Sequence, residues 1–300
     1  MVRGIDPTHV LRAERVLPNL ENPYNEDPMT TSDTGRFYDL RGDLALRSDD
    51  PSYGSNKMPL HVAEPYRYVE GLLSKLRERG ASRLLDICCG TGVHSIYPAK
   101  VGYTVMGVDI SPKSIMAARQ LAALNEVSDT CQFEVQDAID RLSSQEQFDV
   151  ILISGSWYYL PRDQTLELVS QRLTAGGHFI CIETYGGNQM MKLYRHARAR
   201  LRRDRDQETL RNLLGVDEIR YVAGHFENAA VTFFDCSTLF GVFLGRRTLA
   251  ASYHRLSKHL DDFLLNRLNL RGLAFKFVID AAKATAPPEN PKRPSTGSLA

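Results

Sequence analysis

Two acids and two glycines at fixed spacing point to the chemistry of this chain: Asp86, Gly90, Gly92 and Asp109. Asp86 lies inside the apolar run Leu84-Leu85-Asp86-Ile87-Cys88, and the glycines follow in a turn. Asp109 ends a second apolar run 19 residues after Gly90. This order reads as a buried strand, a glycine turn, a helix and a second strand closed by an acid, which is half of a nucleotide-binding βαβ unit. A dinucleotide site needs three glycines so that a pyrophosphate can rest on backbone N–H groups. Counting from Gly90, the third position is Ser95; counting from Cys88, the first is already lost. A carboxylate at position 86 would repel a pyrophosphate but suits an ammonium group, and Asp109 can accept from both hydroxyls of a ribose. An adenosine-containing ligand with a cationic amino-acid tail and no phosphates meets these conditions, and S-adenosylmethionine is such a ligand.

The segment from about 82 to 183 resembles the class I S-adenosylmethionine-dependent methyltransferases, whose first motif runs acid, apolar, Gly, Cys, Gly, any, Gly. Asp86, Cys89, Gly90, Thr91 and Gly92 match it, and Cys88 stands where the first glycine usually does. That departure asks the backbone at position 88 to hold an ordinary φ, because non-glycine residues at positive φ are uncommon. The resemblance implies S-adenosylmethionine as cofactor, held by Asp86, Cys88, Gly90, Gly92, Asp109, Ile110, Asp137, Ala138 and Ser154. Asp109 would take the ribose. Asp137 would stand beside the adenine amino group, with a helix cap as its alternative role. The run Ser154-Gly155-Ser156-Trp157-Tyr158-Tyr159-Leu160-Pro161 occupies the place where the family puts small polar and aromatic residues around the transferred methyl. An aromatic face there could stabilise a sulfonium by ~0.5–2 kcal/mol, or could simply pack the sheet edge.

Upstream, Phe37-Tyr38-Asp39 and the stretch 59–67 resemble segments that precede the core in small-molecule methyltransferases, including the ubiquinone-biosynthesis O-methyltransferases. On that likeness Tyr38 is a cofactor lid residue, with His61 a weaker candidate, and oxygen is favoured over nitrogen as the methyl acceptor. Two other functions compete. A methyltransferase-like scaffold or regulatory subunit would bind the cofactor without turnover, although keeping Asp86, Gly90, Gly92 and Asp109 together argues against it. An NAD-type oxidoreductase is disfavoured by Ser95 and Asp86.

The elements that must position these residues alternate along the chain. Strands are expected at 83–88, 104–108, 131–135, 148–153 and 178–183, with helices at 62–79, 93–101, 111–125 and 163–173 between them. Strands separated by helices of this length predict an α/β fold with a doubly wound, mostly parallel, seven-stranded Rossmann-like sheet. Further strands are expected at 218–222, 230–235 and 273–280, with a helical insertion at 237–270 before the last strand. The proline-punctuated residues 1–34 read as a flexible arm, 35–282 as one methyltransferase domain, and 283–300 as a disordered tail.

Composition narrows the partners. The chain has 300 residues, 43% of them hydrophobic, with a net charge of +1, so bulk electrostatics favours neither nucleic acid nor a membrane. Five scattered cysteines form no CxxC pair and no Cys/His ligand spacing, which implies structural thiols, no metal and a cytoplasmic setting. A small-molecule acceptor is the expected partner. An arginine-dense stretch at 195–211 would suit an anionic one, or is a solvated helix face. Acceptor-side acid–base candidates are His225, Tyr158 and Tyr159, with Glu183 and His61 also near the active end. His94, just after the glycine turn, reads as a surface or helix-packing residue.

Overall fold

The structure is a computed structural model that describes residues 31–193, 213–239 and 247–284. Its centre is a seven-stranded sheet in the order β3-β2-β1-β4-β5-β7-β6. The strands are β1 (Arg83–Ile87), β2 (Thr104–Asp109), β3 (Cys131–Val135), β4 (Phe148–Ser154), β5 (Leu173–Thr184), β6 (Asn228–Phe234) and β7 (Lys276–Ala282). All pairings are parallel except those of β7, which runs antiparallel to both β5 and β6. The mostly parallel, doubly wound sheet expected from the sequence is therefore present.

Each buried strand presents apolar side chains to both faces, as a sheet covered by helices requires. One face packs β1, β4 and β5 through Leu85, Ile87, Ile151, Ile153 and Phe179 against the helices α5 (Ala138–Ser143), α6 (Arg162–Arg172) and α7 (Val216–Gly224). On the other face lie α2 (Glu64–Glu78), α3 (Ile96–Lys100) and α4 (Pro112–Leu124), through Val69, Leu73, Ile96, Ile115 and Ala118. Ser111 caps α4 by accepting from Ser114 N at 3.0 Å, and Pro112 supplies the preset φ of its first turn.

Strand order reverses between β1 and β4, so the crevice for a ligand opens at their carboxyl ends. One further helix reaches this crevice. Helix α1 (Thr31–Leu46) lies against the start of α4, where Asp39 Oδ1 accepts from Ser111 Oγ at 2.7 Å and from Lys113 N at 3.3 Å. Gly42 permits the approach, since a Cβ there would come within 2.5 Å of the Lys113 carbonyl carbon.

Several expectations are corrected. Residues 31–34, expected in the flexible arm, belong to α1; residues 1–30 lie outside the described set. The segment 218–222 is helix α7 rather than a strand. Val216, Ile219 and Val222 recur at helical spacing, and the Glu218 carboxylate accepts from Gly215 N at 2.9 Å to close the first turn. The insertion between β6 and β7 is helical as expected, with α8 (Arg247–Asp261) running into a π-helical turn at Asp262–Arg267. Lys283, expected to begin the tail, is pinned to the sheet: its N–H donates to Gly177 O at 2.9 Å and its Nζ to Leu173 O at 2.7 Å. The arginine-dense stretch lies outside the described residues.

Candidate active site

The glycine turn leaves the end of β1 at Cys88 and returns to the fold at Ser95. Gly90 and Gly92 hold φ of 54° and 73°. Their empty Cα positions serve different ends. A Cβ on Gly92 would meet the Phe133 ring at 2.8 Å and Ala118 Cβ at 2.9 Å, so this glycine lets the turn press on the core. A Cβ on Gly90 would meet nothing within 4 Å, so Gly90 faces open space at the mouth of the crevice. Cys88 also holds a positive φ, 56°, which overturns the expectation of an ordinary backbone there. The family turn is kept by a residue with a Cβ, at a strain of roughly 1–2 kcal/mol. Its neighbours hold the shape: Cys89 N donates to Val108 O at 3.0 Å, and Gly92 N to Cys89 O at 3.0 Å.

Asp109, at the end of β2, is 8% exposed. Its Oδ2 accepts from Gly90 N and its Oδ1 from Ser111 N, both at 2.9 Å. One carboxylate therefore ties the glycine turn to the cap of α4, a role that spacing alone did not reveal. Asp86 lies deeper, 2% exposed, and its Oδ2 accepts from Ser95 Oγ at 2.6 Å. Ser95, which stands where a dinucleotide site would have glycine, is thus the partner of the buried acid. Burial pushes Asp86 up to about 7. Asp137 caps α5, accepting from Ile139 N at 2.7 Å, as its alternative role anticipated. Ile110, Ala138 and Ser154 stand at the ends of β2 and β4 and the start of α5 around the same crevice.

These acids converge. Burial raises the Cys88 thiol well above its ordinary range, and Asp109, Asp86, Asp137 and Glu183 add to that effect. Four carboxyl groups from four strand ends therefore act on one point at the floor of the crevice.

The aromatic run after β4 divides in two. Trp157 is fully buried and packs on Phe179 with ring centroids 5.6 Å apart, so it is a core residue and offers no face to a sulfonium. Tyr158 and Tyr159 stay at the mouth, 4.4 Å apart, and Tyr159 meets Tyr38 of α1 edge-on at 6.1 Å. Tyr38 thus stands against the aromatic run that follows β4. Burial and neighbouring phenols drive the hydroxyls of Tyr38 and Tyr158 far above their usual range. Both phenols thus keep their protons near neutrality, so Tyr158 can donate a hydrogen bond. Glu183, fully buried at the end of β5, accepts from Trp157 N at 2.7 Å and so holds this loop in place. Burial pushes it up to about 7.

His225 is not brought to the site. It ends α7 three residues before β6 begins, and Asn228 of β6 pairs with Ala282, which pairs with His178 in the amino-terminal part of β5. His225 thus sits at the opposite end of the sheet, with its Nδ1 3.0 Å from Tyr221 O. A lone histidine carries no periodic signal that would separate these two ends. His61 lies on a short turn at Leu60–Val62. His94 packs as expected, stacked on Tyr66 at 4.7 Å, and its enclosure and Lys276 lower its imidazole to about 4. Among the described residues no cluster of three or more His, Cys, Asp or Glu could hold a metal ion. No described helix is long and apolar enough to cross a membrane.

Residues 78–218 match the model of the family described as "Methyltransferase domain". That segment, just under half of the chain, is similar to the methyltransferase domain family. Methyltransferase GfsG of Streptomyces halstedii is 29% identical over 154 residues, covering 48% of this chain and 55% of that protein. The chloroplastic tocopherol O-methyltransferase of Arabidopsis thaliana is 27% identical over 150 residues, covering 50% of this chain and 42% of that protein. The chain spans about half the length of these curated relatives. A crystal structure of geranyl diphosphate C-methyltransferase from Streptomyces coelicolor A3(2) shares the fold, with a TM-score of 0.53 at 14% identity over 86% of this chain and all of that one. The cofactor of the methyltransferase domain, S-adenosylmethionine, fits the residues present: Gly90 leaves a cradle that a Cβ would fill, and the surrounding charge is negative.

The buried acids of the domain have a consequence for stability. Asp86, Glu183 and Asp235 are each pushed up to about 7 by burial. Between roughly pH 4 and 7 the folded state then binds more protons than the unfolded chain, so stability falls as pH rises through this window. His94, lowered to about 4, opposes them between 4 and 6.5, one group against three. The acids lowered by their partners, Asp50, Glu64 and Asp149, lose their contribution only below about 4. A calorimetric scan of the ligand-free protein should therefore give a Tm several degrees lower at pH 7.5 than at pH 5.5. A Tm that climbs across this interval would show that the three acids are ionised at no cost.

Proposed function

We propose that this chain is an S-adenosylmethionine-dependent methyltransferase that methylates an oxygen atom of a small-molecule acceptor. The observation that carries the reading is Asp109 at the end of β2, hydrogen-bonded to the backbone of Gly90 beside the open space at that glycine, with Asp86 buried behind it. Negative charge and bare backbone suit a ligand with a sulfonium, an ammonium and no phosphates, and would reject a dinucleotide.

When bound, S-adenosylmethionine supplies an electrophilic methyl group on a sulfonium. The chain's residues bind, orient and exclude water, which is most of what a methyl displacement needs from a protein. Asp109 would accept from the ribose hydroxyls with the lone pairs left by Gly90 N and Ser111 N, and Asp86 would face the amino-acid end. Tyr38 and Tyr159, in contact across the mouth, close the crevice from above. Neither Tyr38 nor Tyr158 can serve as a base, and both Glu183 oxygens accept backbone N–H groups, from Trp157 and Thr184. An acceptor that readily gives up its own proton, a phenol or a carboxylic acid, fits such a site, and one relative is named as a tocopherol O-methyltransferase. The anionic acceptor rests on residues outside the described set.

Calorimetric titration with S-adenosylmethionine and S-adenosylhomocysteine tests the reading, followed by mass spectrometry of phenol, carboxylate and amine acceptors. Micromolar binding of both nucleosides and methylation of a phenol or carboxylate are the expected results. Binding with no turnover on any acceptor would favour a regulatory subunit, and turnover on amines alone would overturn the choice of oxygen.

A further inference from the structure

A second feature at the same end of the sheet is unused by that reading. A cavity of about 250 Å³ opens between the start of α2, the end of β6 and α8, lined in part by Glu64, Phe234, Asp235, Thr238, Lys258 and Asp262. Phe234 pairs with Lys276, which pairs with Thr184 at the end of β5, so the cavity shares the carboxyl end of the sheet with the crevice. Four strand spacings separate β6 from β1, or ~19 Å.

The carboxylates around this cavity differ in what they are free to do. Asp261 is committed: it accepts from the N–H groups of Cys236, Ser237 and Thr238 and from the hydroxyls of Ser237 and Thr238, at 2.6 to 3.2 Å. Glu64 Oε1 meets both Arg67 Nη1 at 2.6 Å and His254 Nε2 at 2.8 Å. Asp235 is different. It is 1% exposed, and among the described residues its Oδ1 accepts only a long bond from Thr238 Oγ1 at 3.3 Å while its Oδ2 has no partner. Burial pushes this acid up to about 7, although Lys276 opposes the shift. Lys258 and His259 also line the cavity, so its four acids are partly balanced. A buried carboxylate oxygen without a donor is costly, and a charged N–H group is the partner that offsets most.

We propose that this cavity binds a primary or secondary ammonium group, carried as an anchoring arm on the methyl acceptor. A quaternary ammonium has no N–H to give to Asp235 Oδ2. A guanidinium would want two free oxygens for its fork, and Asp235 offers one. The assignment of the arm to the acceptor rests on the methyl-transfer reading; the affinity of the cavity for ammonium does not. The distance across the strands implies an acceptor whose ammonium lies well apart from its reacting oxygen.

The test is calorimetric titration of the full chain with putrescine, tetramethylammonium and 1,4-butanediol, each with and without S-adenosylhomocysteine. Wild-type protein should bind putrescine and neither control. Asp235→Asn should weaken putrescine at least ten-fold while keeping S-adenosylhomocysteine affinity, which serves as the control for folding. Asparagine suits this position, because Asp235 holds φ 61° and asparagine tolerates the left-handed region. Equal putrescine affinity in the variant, equal binding of either control, or no putrescine binding to a protein that binds S-adenosylhomocysteine would overturn the proposal. Putrescine binding without S-adenosylhomocysteine binding would keep the cavity and remove the methyl-transfer reading. Once an acceptor is found, putrescine should raise its KM and leave kcat unchanged; a fall in kcat alone would separate the cavity from the acceptor site.

Discussion

Asp109→Ala is expected to weaken S-adenosylhomocysteine binding at least ten-fold and to lower the stability of the ligand-free protein as well. Both effects come from the same two oxygens. Toward the ligand, the carboxylate offers charge-assisted hydrogen bonds worth ~1.5–3 kcal/mol each before non-additivity. Toward the protein, it accepts from Gly90 N and Ser111 N, and truncation leaves two N–H groups short of a partner at ~1–3 kcal/mol each where water cannot reach them. Position 109 is thus not a pure binding residue. Asp109→Asn separates the two roles, since an amide keeps one acceptor oxygen and loses the charge. Its binding loss should resemble that of alanine, with a smaller drop in Tm. If Asp109→Ala binds S-adenosylhomocysteine as tightly as wild type, the ribose does not sit at the end of β2.

Gly92→Ala should destabilise the fold by ~2–5 kcal/mol, the sum of a left-handed backbone at ~1–2 kcal/mol and overpacking at ~1–3 kcal/mol. Its Cβ has nowhere to go, because the Phe133 ring and Ala118 lie at 2.8 and 2.9 Å. Gly90→Ala makes the contrast. It carries the backbone strain but no clash, so its Tm should fall less, while its methyl group occupies the cradle and should abolish cofactor binding. Thermal melts and titration of the two variants side by side read both effects. Equal loss of stability in the two would mean that the space at Gly90 is not open, and retained binding in Gly90→Ala would place the ligand elsewhere.

What could be read from the sequence follows the physics of each signal. The sheet strands 83–88 and 104–108 were legible because mostly apolar runs between helices leave few other folds, and 131–135 because Cys131, Phe133 and Val135 alternate with Gln132 and Glu134; Ser111-Pro112 marked the start of α4 by its capping chemistry. The strand expected at 218–222 failed because a short amphipathic segment satisfies both periods, and the capping carboxylate of Glu218 decided for helix. In the site, the types and order of Asp86, Gly90, Gly92 and Asp109 were enough to suggest the ligand. The partners of those residues were not legible, since Ser95 on Asp86 and Asp39 on Ser111 depend on contacts between segments. Tyr38 was reached through family likeness, and the structure sets it against Tyr159. His225 shows the limit in the other direction: chain order placed it after the core strands without saying at which end of the sheet. Asp235 carried no signal at all, because an acid at the end of a strand looks the same whether its oxygens are satisfied or not.

The crowd of carboxyl groups around Cys88 has a bearing on what the protein does not do. Cys88 and Cys89 are the thiols beside the proposed methyl donor, and a thiolate is a stronger nucleophile toward an activated methyl group than a phenol or an acid. Burial and the charges of Asp86 and Asp109 act on both thiols and hold them well above their ordinary range, so that they remain S–H, the unreactive form. The same field that would favour a cationic donor thereby disfavours the thiolates that could take its methyl group. A site for this chemistry can then carry cysteine at its floor without consuming itself, and the methyl group is left for whatever enters from the mouth.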